Sequence, residues 1–254
     1  MDITVVIPTL YSPKTLKLAL KSVYNQTYQS KEIIIIDNSA TKKSQQVVSE
    51  LISEFDDRII YKNLIGNPNE TRNHASELAS NELVAFLDDD DTWEKNYLQT
   101  SIEEIKDHNL DFIFTNMNII NENDNIINFV ELPNQINIEN LFVYNNGFFC
   151  SNLIIKKKAF LSLKGFDSLS GSADKDLAIR LVEKNFNYKI NSSKIVNKRA
   201  VYNQWSQNHL SMIKNNFLFF SRYKNQVSIY LKIMFFKKII KLFLRYIKSK
   251  LIQT

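Results

Sequence analysis

The chain has 254 residues, of which 44% are hydrophobic and 23% are charged. These proportions are typical of a globular protein and exclude a disordered chain, a collagen-like repeat and a protein with many membrane spans. One domain, or one domain with a tail, is expected at this length. The single cysteine, Cys150, excludes an internal disulfide and any metal centre made of several cysteines, as expected in a reducing compartment.

The net charge of +5 is unevenly distributed along the chain. No Asp or Glu follows Glu183, and residues 184–254 carry 15 Lys and Arg, whereas residues 1–183 carry 17 Lys and Arg against 27 acidic residues. A basic tail on an acidic body predicts attraction to an anionic surface, either a membrane or a nucleic acid. The chain starts with a strand-like run instead of a basic segment, so we predict neither a signal sequence nor export.

Short apolar runs alternate with amphipathic helical patterns through the first half of the chain. The runs predict buried strands over Ile3–Ile7, Ile33–Ile36, Ile59–Tyr61, Leu83–Leu87 and Phe112–Thr115. The patterns between them predict helices capped by Ser12, Thr41 and Asn69. Strands separated by helices predict an α/β fold with a Rossmann-like, mainly parallel sheet, helices on both faces, and ligands at the carboxyl ends of the strands.

The second half of the chain shows weaker periodicity. Residues 118–146 predict a hairpin, a helix near Ile138–Tyr144 and loops, and Asp174–Asn185 predicts a further helix. No linker marks a sharp boundary. We therefore predict a body over residues 1–210 and a tail of basic amphipathic helices over residues 211–254.

The tail pattern predicts a helix over Ile229–Leu251 with a basic stripe. Its longest apolar run, Ile233–Phe236, has four residues, far fewer than the roughly 20 that span a bilayer. Two interpretations are open: a helix lying in the interface of an anionic membrane leaflet, or a helix docked on the acidic body with solvated lysines. The aromatic residues lie opposite the lysines, which suits lipid better than stacked bases, so we predict no nucleic-acid partner. The stripe, within an arc of about 100°, comprises Lys237, Lys238, Lys241, Arg245 and Lys248.

The strongest chemical signal is the run of four aspartates at residues 88–91, directly after a predicted buried strand. Adjacent carboxylates repel one another unless solvent or a cation compensates, and Mg²⁺ and Mn²⁺ prefer oxygen ligands. A solvated acidic loop is the alternative. The position at the carboxyl end of a parallel strand favours a metal that bridges a carboxylate and a diphosphate.

Five segments, in their order and spacing, resemble the inverting family 2 glycosyltransferases of bacterial surface-polysaccharide synthesis. The resemblance covers about residues 3–210 and implies the GT-A fold. The segments are VVIPTLY at 5–11, NQTYQSKEIIIIDNS at 25–39, TRN at 71–73, FLDDDD at 86–91 and DKDLAIRL at 174–181.

The resemblance assigns nucleotide-binding residues to several loops. Thr9 and Tyr11 lie where the family cradles the nucleotide, although Tyr11 has the alternative of an ordinary loop aromatic. Asp37 and Asn38 occupy the place of paired aspartates that recognise base and ribose. Asn38 replaces the second aspartate of the family. Because an amide donates as well as accepts hydrogen bonds, the preferred base stays open. Arg72 is expected to meet the diphosphate or the acidic loop, with a surface arginine as the alternative.

The resemblance also implies roles within the acidic run. Asp88, Asp89 and Asp90 look like the family's DxD element, with Asp89 near the ribose and Asp90 as the ligand of Mn²⁺ or Mg²⁺. Asp88 and Asp91 would orient the loop or hold metal-bound water. Trp93 is expected to pack against the sugar, or alternatively to cap the core.

Asp174 is the expected general base, taking a proton from the acceptor hydroxyl. Ala173 replaces the first acid of the family's carboxylate pair, and a helix N-cap is the alternative role for Asp174. Asn203 and Trp205 stand where relatives carry an arginine and a histidine that hold the diphosphate, and His209 is a candidate substitute.

The sequence thus predicts a metal-dependent inverting glycosyltransferase that uses a nucleotide sugar, with a UDP-sugar favoured. The resemblance implies a glycan or lipid-linked acceptor in lipopolysaccharide, O-antigen or capsule assembly. The processive QxxRW motif is absent, which predicts one sugar per encounter. A cytoplasmic protein on the inner face of the membrane is expected. The alternatives are a nucleotide-sugar binder without transferase activity and a nucleotidyltransferase, the latter disfavoured because no glycine precedes Gly66.

Overall fold

The structure is a computed structural model that describes residues 1–167, 172–200 and 209–252. Strands and helices alternate up to residue 86, as the sequence predicts. The strands are β1 (Ile3–Thr9), β2 (Glu32–Asp37), β3 (Ile59–Asn63), β4 (Leu83–Phe86), β5 (Thr92–Trp93), β6 (Phe112–Ile120), β7 (Ile126–Val130), β8 (Leu153–Lys156) and β9 (Tyr188–Arg199). The helices are α1 (Pro13–Tyr24), α2 (Lys42–Ile52), α3 (Pro68–Leu78), α4 (Tyr97–Asp107), α5 (Ile138–Leu141), α6 (Lys157–Ser162), α7 (Ala173–Glu183), α8 (His209–Tyr223) and α9 (Ile229–Ile252), with a 3₁₀ turn at Cys150–Asn152.

The strands form one sheet in the order β3-β2-β1-β4-β8-β6-β9-β5, with β7 beside β6. The first four strands are parallel, and β6 is parallel to β9, whereas β8 is antiparallel to both of its neighbours. In register, Thr9 lies opposite Asp37 and Val6 lies opposite Phe86. Because β2 and β4 flank β1 on opposite sides, the strand order reverses at β1, where open α/β sheets form a ligand crevice.

Hydrophobic clusters cover both faces of the sheet. Side chains alternate along β1, so Val6 joins one cluster while Val5 and Ile7 join the other. One cluster includes residues of α3, α6, α7, α8 and α9, and the other includes residues of α1, α2 and α4. Strands buried on both faces need nearly continuous apolar runs, which is why the sequence reveals β1 and β2 so clearly. The predicted α/β class with helices on both faces is confirmed.

The helix starts agree with prediction in two cases and differ in a third. Thr41 caps α2 by accepting a hydrogen bond from the backbone N–H of Ser44, and Pro13 opens α1. The prediction that Asn69 caps α3 is wrong. Asn67 is the cap, because Pro68 fits the first helical position and Glu70 completes a capping box.

The later strands depend on tertiary contacts more than on local pattern. The hairpin predicted within residues 118–146 is confirmed by the antiparallel pairing of β6 with β7, and the predicted helix there is the four-residue α5. The sequence analysis missed β9 because its polar residues, KINSSKIVNKR, lack an apolar run. β9 nevertheless pairs with β6 along most of its length, and it also pairs with β5. The pairing with β5 brings the acidic loop against β9.

The two tail helices dock on the body. Phe235, Ile239 and Leu242 of α9 are buried, and the ring of Phe142 contacts Phe219 of α8 and Phe235. The docking expected in one of the two interpretations is therefore present, and apolar side chains supply the contact of α9 with the body. The opposite face of α9 stays exposed.

A buried carboxylate ties α7 to α8. Asp176 is fully buried and accepts hydrogen bonds from Arg180 (2.7 Å), Arg222 (2.6 Å) and the Tyr223 hydroxyl (2.9 Å). Removing one partner from a buried ionic network leaves the others uncompensated.

Asp176→Asn is therefore expected to lower the free energy of unfolding by about 3 kcal/mol. Denaturant unfolding at neutral pH measures this change, with the exposed Asp107→Asn as a control expected to stay within about 0.5 kcal/mol of wild type. Equal stability of both variants would show that the network does not hold the tail.

Candidate active site

The candidate site lies where β1 and β4 end. The Thr9 hydroxyl, at the end of β1, donates a 2.6 Å hydrogen bond to Oδ2 of Asp89, in the acidic loop after β4. Tyr11 follows with 49% of its surface exposed and a φ of 51°, in the left-handed region that non-glycine residues adopt infrequently. The structure thus brings three of the predicted nucleotide-binding residues to the crevice at β1.

Arg72 reaches the acidic loop from α3. It is 8% exposed, and its Nη2 donates a 2.5 Å hydrogen bond to Oδ1 of Asp88. Burial raises the pKa of Asp88, but the charges of Arg72 and Lys198 lower it by more, so the carboxyl stays below its usual range. Among the described residues, the buried Nε of Arg72 has no hydrogen-bond partner. A buried guanidinium with a spare donor suits an anionic ligand, and the alternative of a surface arginine is wrong.

Asp91 has a structural role in the loop. It is fully buried, and its two oxygens accept hydrogen bonds from the Ser151 hydroxyl (2.7 Å) and the backbone N–H of Arg199 (2.9 Å). These bonds hold the loop in place, which is one of the two roles predicted for Asp91.

The carboxylates of the acidic loop repel one another. Burial, with the neighbouring charges of Asp90 and Asp88, raises the pKa of both Asp89 and Asp91 to about 7. Carboxylate oxygens of Asp88, Asp90 and Asp91 lie within 4.8 Å of one another. Hard oxygen donors at this spacing fit a divalent cation such as Mg²⁺ or Mn²⁺.

Asp174 lies in the first turn of α7 and is half-buried. Its Oδ1 accepts a 2.8 Å hydrogen bond from the Cys150 thiol. Burial raises its pKa, and the thiol bond and the charge of Arg72 reverse that shift only in part. The alternative role as a helix N-cap is wrong because Ser172 occupies the cap position. A half-buried carboxylate with a raised pKa, close to the charges of Arg72 and Asp88, is a candidate general base.

Asp37 and Asn38 shape the far side of the crevice. Asp37 is buried, and its oxygens accept hydrogen bonds from the Ser39 backbone (2.8 Å) and the Tyr61 hydroxyl (2.7 Å). Asn38 is half-buried and donates from Nδ2 to the carbonyl of Gly66 at 2.8 Å. The amide that replaces the family's aspartate thus ties two loops together.

Two basic residues at the end of β9 escaped the sequence analysis. The Nζ of Lys198 lies 3.7 Å from Oδ2 of Asp91, and nearby aspartates raise the pKa of this ammonium despite its burial. The Nε of Arg199 donates to the carbonyl of Asp90 (3.1 Å), and its Nη2 donates to Asp124 (2.6 Å). In the sequence analysis, Lys198 and Arg199 were counted only among the basic residues that follow Glu183.

Two further interpretations change with the structure. The prediction that Trp93 packs against a sugar is wrong: the side chain is buried, its indole N–H donates to the Ser151 carbonyl at 2.8 Å, and its ring contacts Tyr97. Cys150 is buried, as predicted, and its thiol also donates a hydrogen bond to Asp174.

Asn203 and Trp205 lie outside the described residues, as does the side chain of His209. Their predicted link to the diphosphate therefore stays a prediction.

Sequence comparisons agree with the motifs. A profile of the glycosyl transferase family 2 matches residues 4–162, more than half of the chain. The chain is 27% identical over 155 residues to the UDP-Glc:alpha-D-GlcNAc-diphosphoundecaprenol beta-1,3-glucosyltransferase WfgD of Escherichia coli, covering 61% of this chain and 60% of that protein. It is 28% identical over 170 residues to the O-antigen biosynthesis glycosyltransferase WbnJ of Escherichia coli, covering 66% and 67%. The chain thus spans about three fifths to two thirds of the length of these relatives.

Solved structures share the fold. Staphylococcus aureus TarS 1–349 in complex with UDP-GlcNAc matches 95% of this chain and 80% of its own, with a TM-score of 0.67 and 16% identity. The mannosyltransferase PcManGT of Pyrobaculum calidifontis, in complex with GDP-Man and Mn²⁺, matches 89% of this chain and 65% of its own, with a TM-score of 0.64 and 14% identity. At such identities the likeness concerns the fold alone. With the family profile and the crevice at β1, it leads to one conclusion: this chain belongs to the glycosyl transferase family 2 and has the GT-A fold.

Proposed function

We propose that this chain is a metal-dependent, inverting glycosyltransferase that moves one sugar from a nucleotide sugar, with a UDP-sugar favoured, to an acceptor hydroxyl. The observation that carries the proposal is the meeting of Arg72, the carboxylates of Asp88 and Asp90, and Asp174 around the end of β4. The acceptor is a sugar linked to polyprenyl diphosphate, the class named for WfgD, in lipopolysaccharide, O-antigen or capsule assembly.

The donor side must hold a diphosphate and accept its growing charge as the sugar leaves. Arg72 presents its free Nε donor and is itself fixed by Asp88. Thr9 holds Asp89 through a hydrogen bond, and Asp89 would meet the ribose. Asp90, with Asp88 and Asp91 nearby, would hold the divalent cation, which when bound neutralises charge on the leaving diphosphate.

The acceptor side needs a base aimed at the attacking hydroxyl. Cys150 donates to Oδ1 of Asp174, whose Oδ2 has no hydrogen-bond partner among the described residues. The thiol therefore orients the carboxylate so that Oδ2 takes the hydroxyl proton as the oxygen attacks the anomeric carbon. One in-line displacement by an oriented acceptor inverts that carbon.

The exposed face of α9 supports peripheral attachment to the cytoplasmic face of a membrane. An apolar stripe there is open to solvent, and Lys237, Lys241 and Arg245 flank it. In the part of the chain that the structure describes, no helix has the length and apolar character needed to cross a bilayer. An apolar stripe with a basic flank suits the interface of an anionic leaflet. The apolar stripe comprises Ile233, Phe236, Ile240, Phe243, Leu244 and Ile247.

Ile240→Glu with Leu244→Glu is expected to weaken binding to phosphatidylglycerol vesicles by at least about tenfold, because two exposed apolar side chains no longer enter the interface. Vesicle co-sedimentation measures this change. Ile126→Glu with Ile127→Glu, an equally exposed pair on β7, adds the same charge and is the control. Equal loss in both pairs would contradict the assigned membrane face.

The function is tested with a panel of UDP-sugars and GDP-mannose, with Mn²⁺, Mg²⁺ or a chelator, and with polyprenyl-diphosphate-linked GlcNAc as the acceptor. We expect metal-dependent transfer from one donor, with the product of opposite anomeric configuration by NMR. Donor binding without turnover would instead favour the nucleotide-sugar binder. Retention of configuration would refute the single displacement.

A further inference from the structure

A second pocket lies between α9 and the loop after α5. It is a pocket of about 300 Å³ on the docked side of the basic flank. Three lysines and no acidic residue line it. We name it the lysine pocket; its lining residues are Tyr144, Met234, Lys237, Lys238, Ile240 and Lys241.

One of the three ammonium groups is held in place by the protein. The Nζ of Lys238 donates to the carbonyl of Val143 (2.7 Å) and to Oδ1 of Asn216 (2.8 Å), which leaves one N–H for a ligand. Burial lowers the pKa of Lys238 to about 8. Lys237 and Lys241 are exposed beside it, and neither forms an ion pair among the described residues. Three lysines around one pocket, with no carboxylate among its lining residues, favour an anionic ligand.

The lysine pocket shares a backbone segment with the candidate base. The Nζ of Lys175, the residue after Asp174, donates to the carbonyls of Leu141 (3.0 Å) and Phe142 (3.3 Å). The next two residues of that segment, Val143 and Tyr144, contact Lys238 and line the pocket. An anion in the pocket is thus one short segment away from the start of α7.

The pocket also meets the apolar stripe. Ile240 lines the pocket and is 58% exposed on the stripe, so one ligand can contact ammonium groups and the apolar surface together. A phosphate group attached to a long hydrocarbon chain has both properties.

We propose that the lysine pocket binds the diphosphate of the polyprenyl-linked acceptor, with the hydrocarbon chain along the apolar stripe. The inference rests on the proposed function. Lysine ammonium groups form charge-assisted hydrogen bonds with phosphate oxygens, and a diphosphate places more charge at one point than the headgroup of an ordinary anionic phospholipid. The pocket therefore selects the acceptor lipid from the surrounding membrane.

The test uses the full chain with neutral phosphatidylcholine vesicles that contain either undecaprenyl diphosphate or phosphatidylglycerol at matched charge. We expect wild type to prefer undecaprenyl diphosphate by about tenfold. Lys237→Gln with Lys241→Gln should abolish that preference. The control pair, Lys214→Gln with Lys224→Gln, removes the same charge from exposed tail positions outside the pocket and should keep it.

Two results would overturn the proposal: no preference in wild type, which would assign the lysines to general attraction to anionic lipid, or a preference that survives in the pocket variant. Transfer kinetics give a second readout. The pocket variant should raise KM for the diphosphate-linked acceptor about tenfold more than the control pair does. If wild type turns over no donor at all, the proposed function fails, and the vesicle measurement still decides the pocket.

Discussion

Asp174→Asn is expected to lower kcat by roughly 10²- to 10⁴-fold, the usual contribution of a general base. The amide keeps the shape of the carboxylate and can still accept a hydrogen bond from Cys150, but it cannot take a proton. Steady-state transfer assays at saturating donor measure the loss. The free energy of unfolding should not fall, because burial raises the pKa of Asp174 and its ionisation therefore opposes folding above that pKa.

The pH profile separates a base from a merely structural residue. A base must be ionised, so kcat/KM of the wild type should fall as pH drops through the raised pKa of Asp174, above the ordinary range of an aspartate. In the Asp174→Asn variant, kcat/KM should no longer show this fall at low pH, which is the acidic limb of the profile. Asp176→Asn, two residues along the same helix, should instead lose stability while keeping the limb. A full-activity Asp174→Asn enzyme would remove Asp174 from the reaction.

Asp90→Ala is expected to lower metal-dependent turnover by about 10²- to 10³-fold, since a group that helps to stabilise the leaving charge is lost. Binding gives a readout that does not depend on activity. Mn²⁺ should raise the Tm of wild type, because an ion that binds only the folded state stabilises it, and this rise should shrink in the variant.

Without metal, removal of the Asp90 carboxylate acts in two directions, because its charge repels the neighbouring aspartates and attracts Lys198. The charge of Asp90 helps to raise the pKa of Asp89 and Asp91, so its removal relieves repulsion inside the loop. The exposed Asp57→Ala removes the same charge elsewhere and should change neither Mn²⁺ binding nor turnover. An unchanged Tm rise with Mn²⁺ in Asp90→Ala would place the cation on other residues.

Local sequence determined the parts of this protein that depend on neighbours along the chain. The apolar runs of β1, β2 and β4 predicted buried strands because both faces of each strand are covered. The four aspartates directly after β4 predicted the site because parallel strands place their carboxyl ends together. The family resemblance assigned Thr9 to the nucleotide, and the structure adds its hydrogen bond to Asp89 in the acidic loop.

Tertiary structure decided how the charges of the site are balanced. The backbone of Arg199 bonds to Asp91 across 108 residues, and the Cys150 thiol bonds to Asp174 across 24. The polar strand β9 has no apolar period of its own and forms because β6 and β5 pair with it. Trp93 is likewise a core residue because of tertiary contacts, since its indole N–H donates to Ser151 and its ring contacts Tyr97.

The tail shows most clearly what the sequence determined and what the tertiary structure decided. Its sequence determined an amphipathic basic helix, because side chains three and four apart share a face. Only the tertiary structure decided which apolar residues are buried against the body and which remain exposed. Phe235 is buried, whereas Ile240 is exposed. Periodicity records which side chains share a face, whereas the partner of that face is set by chain segments far away in sequence.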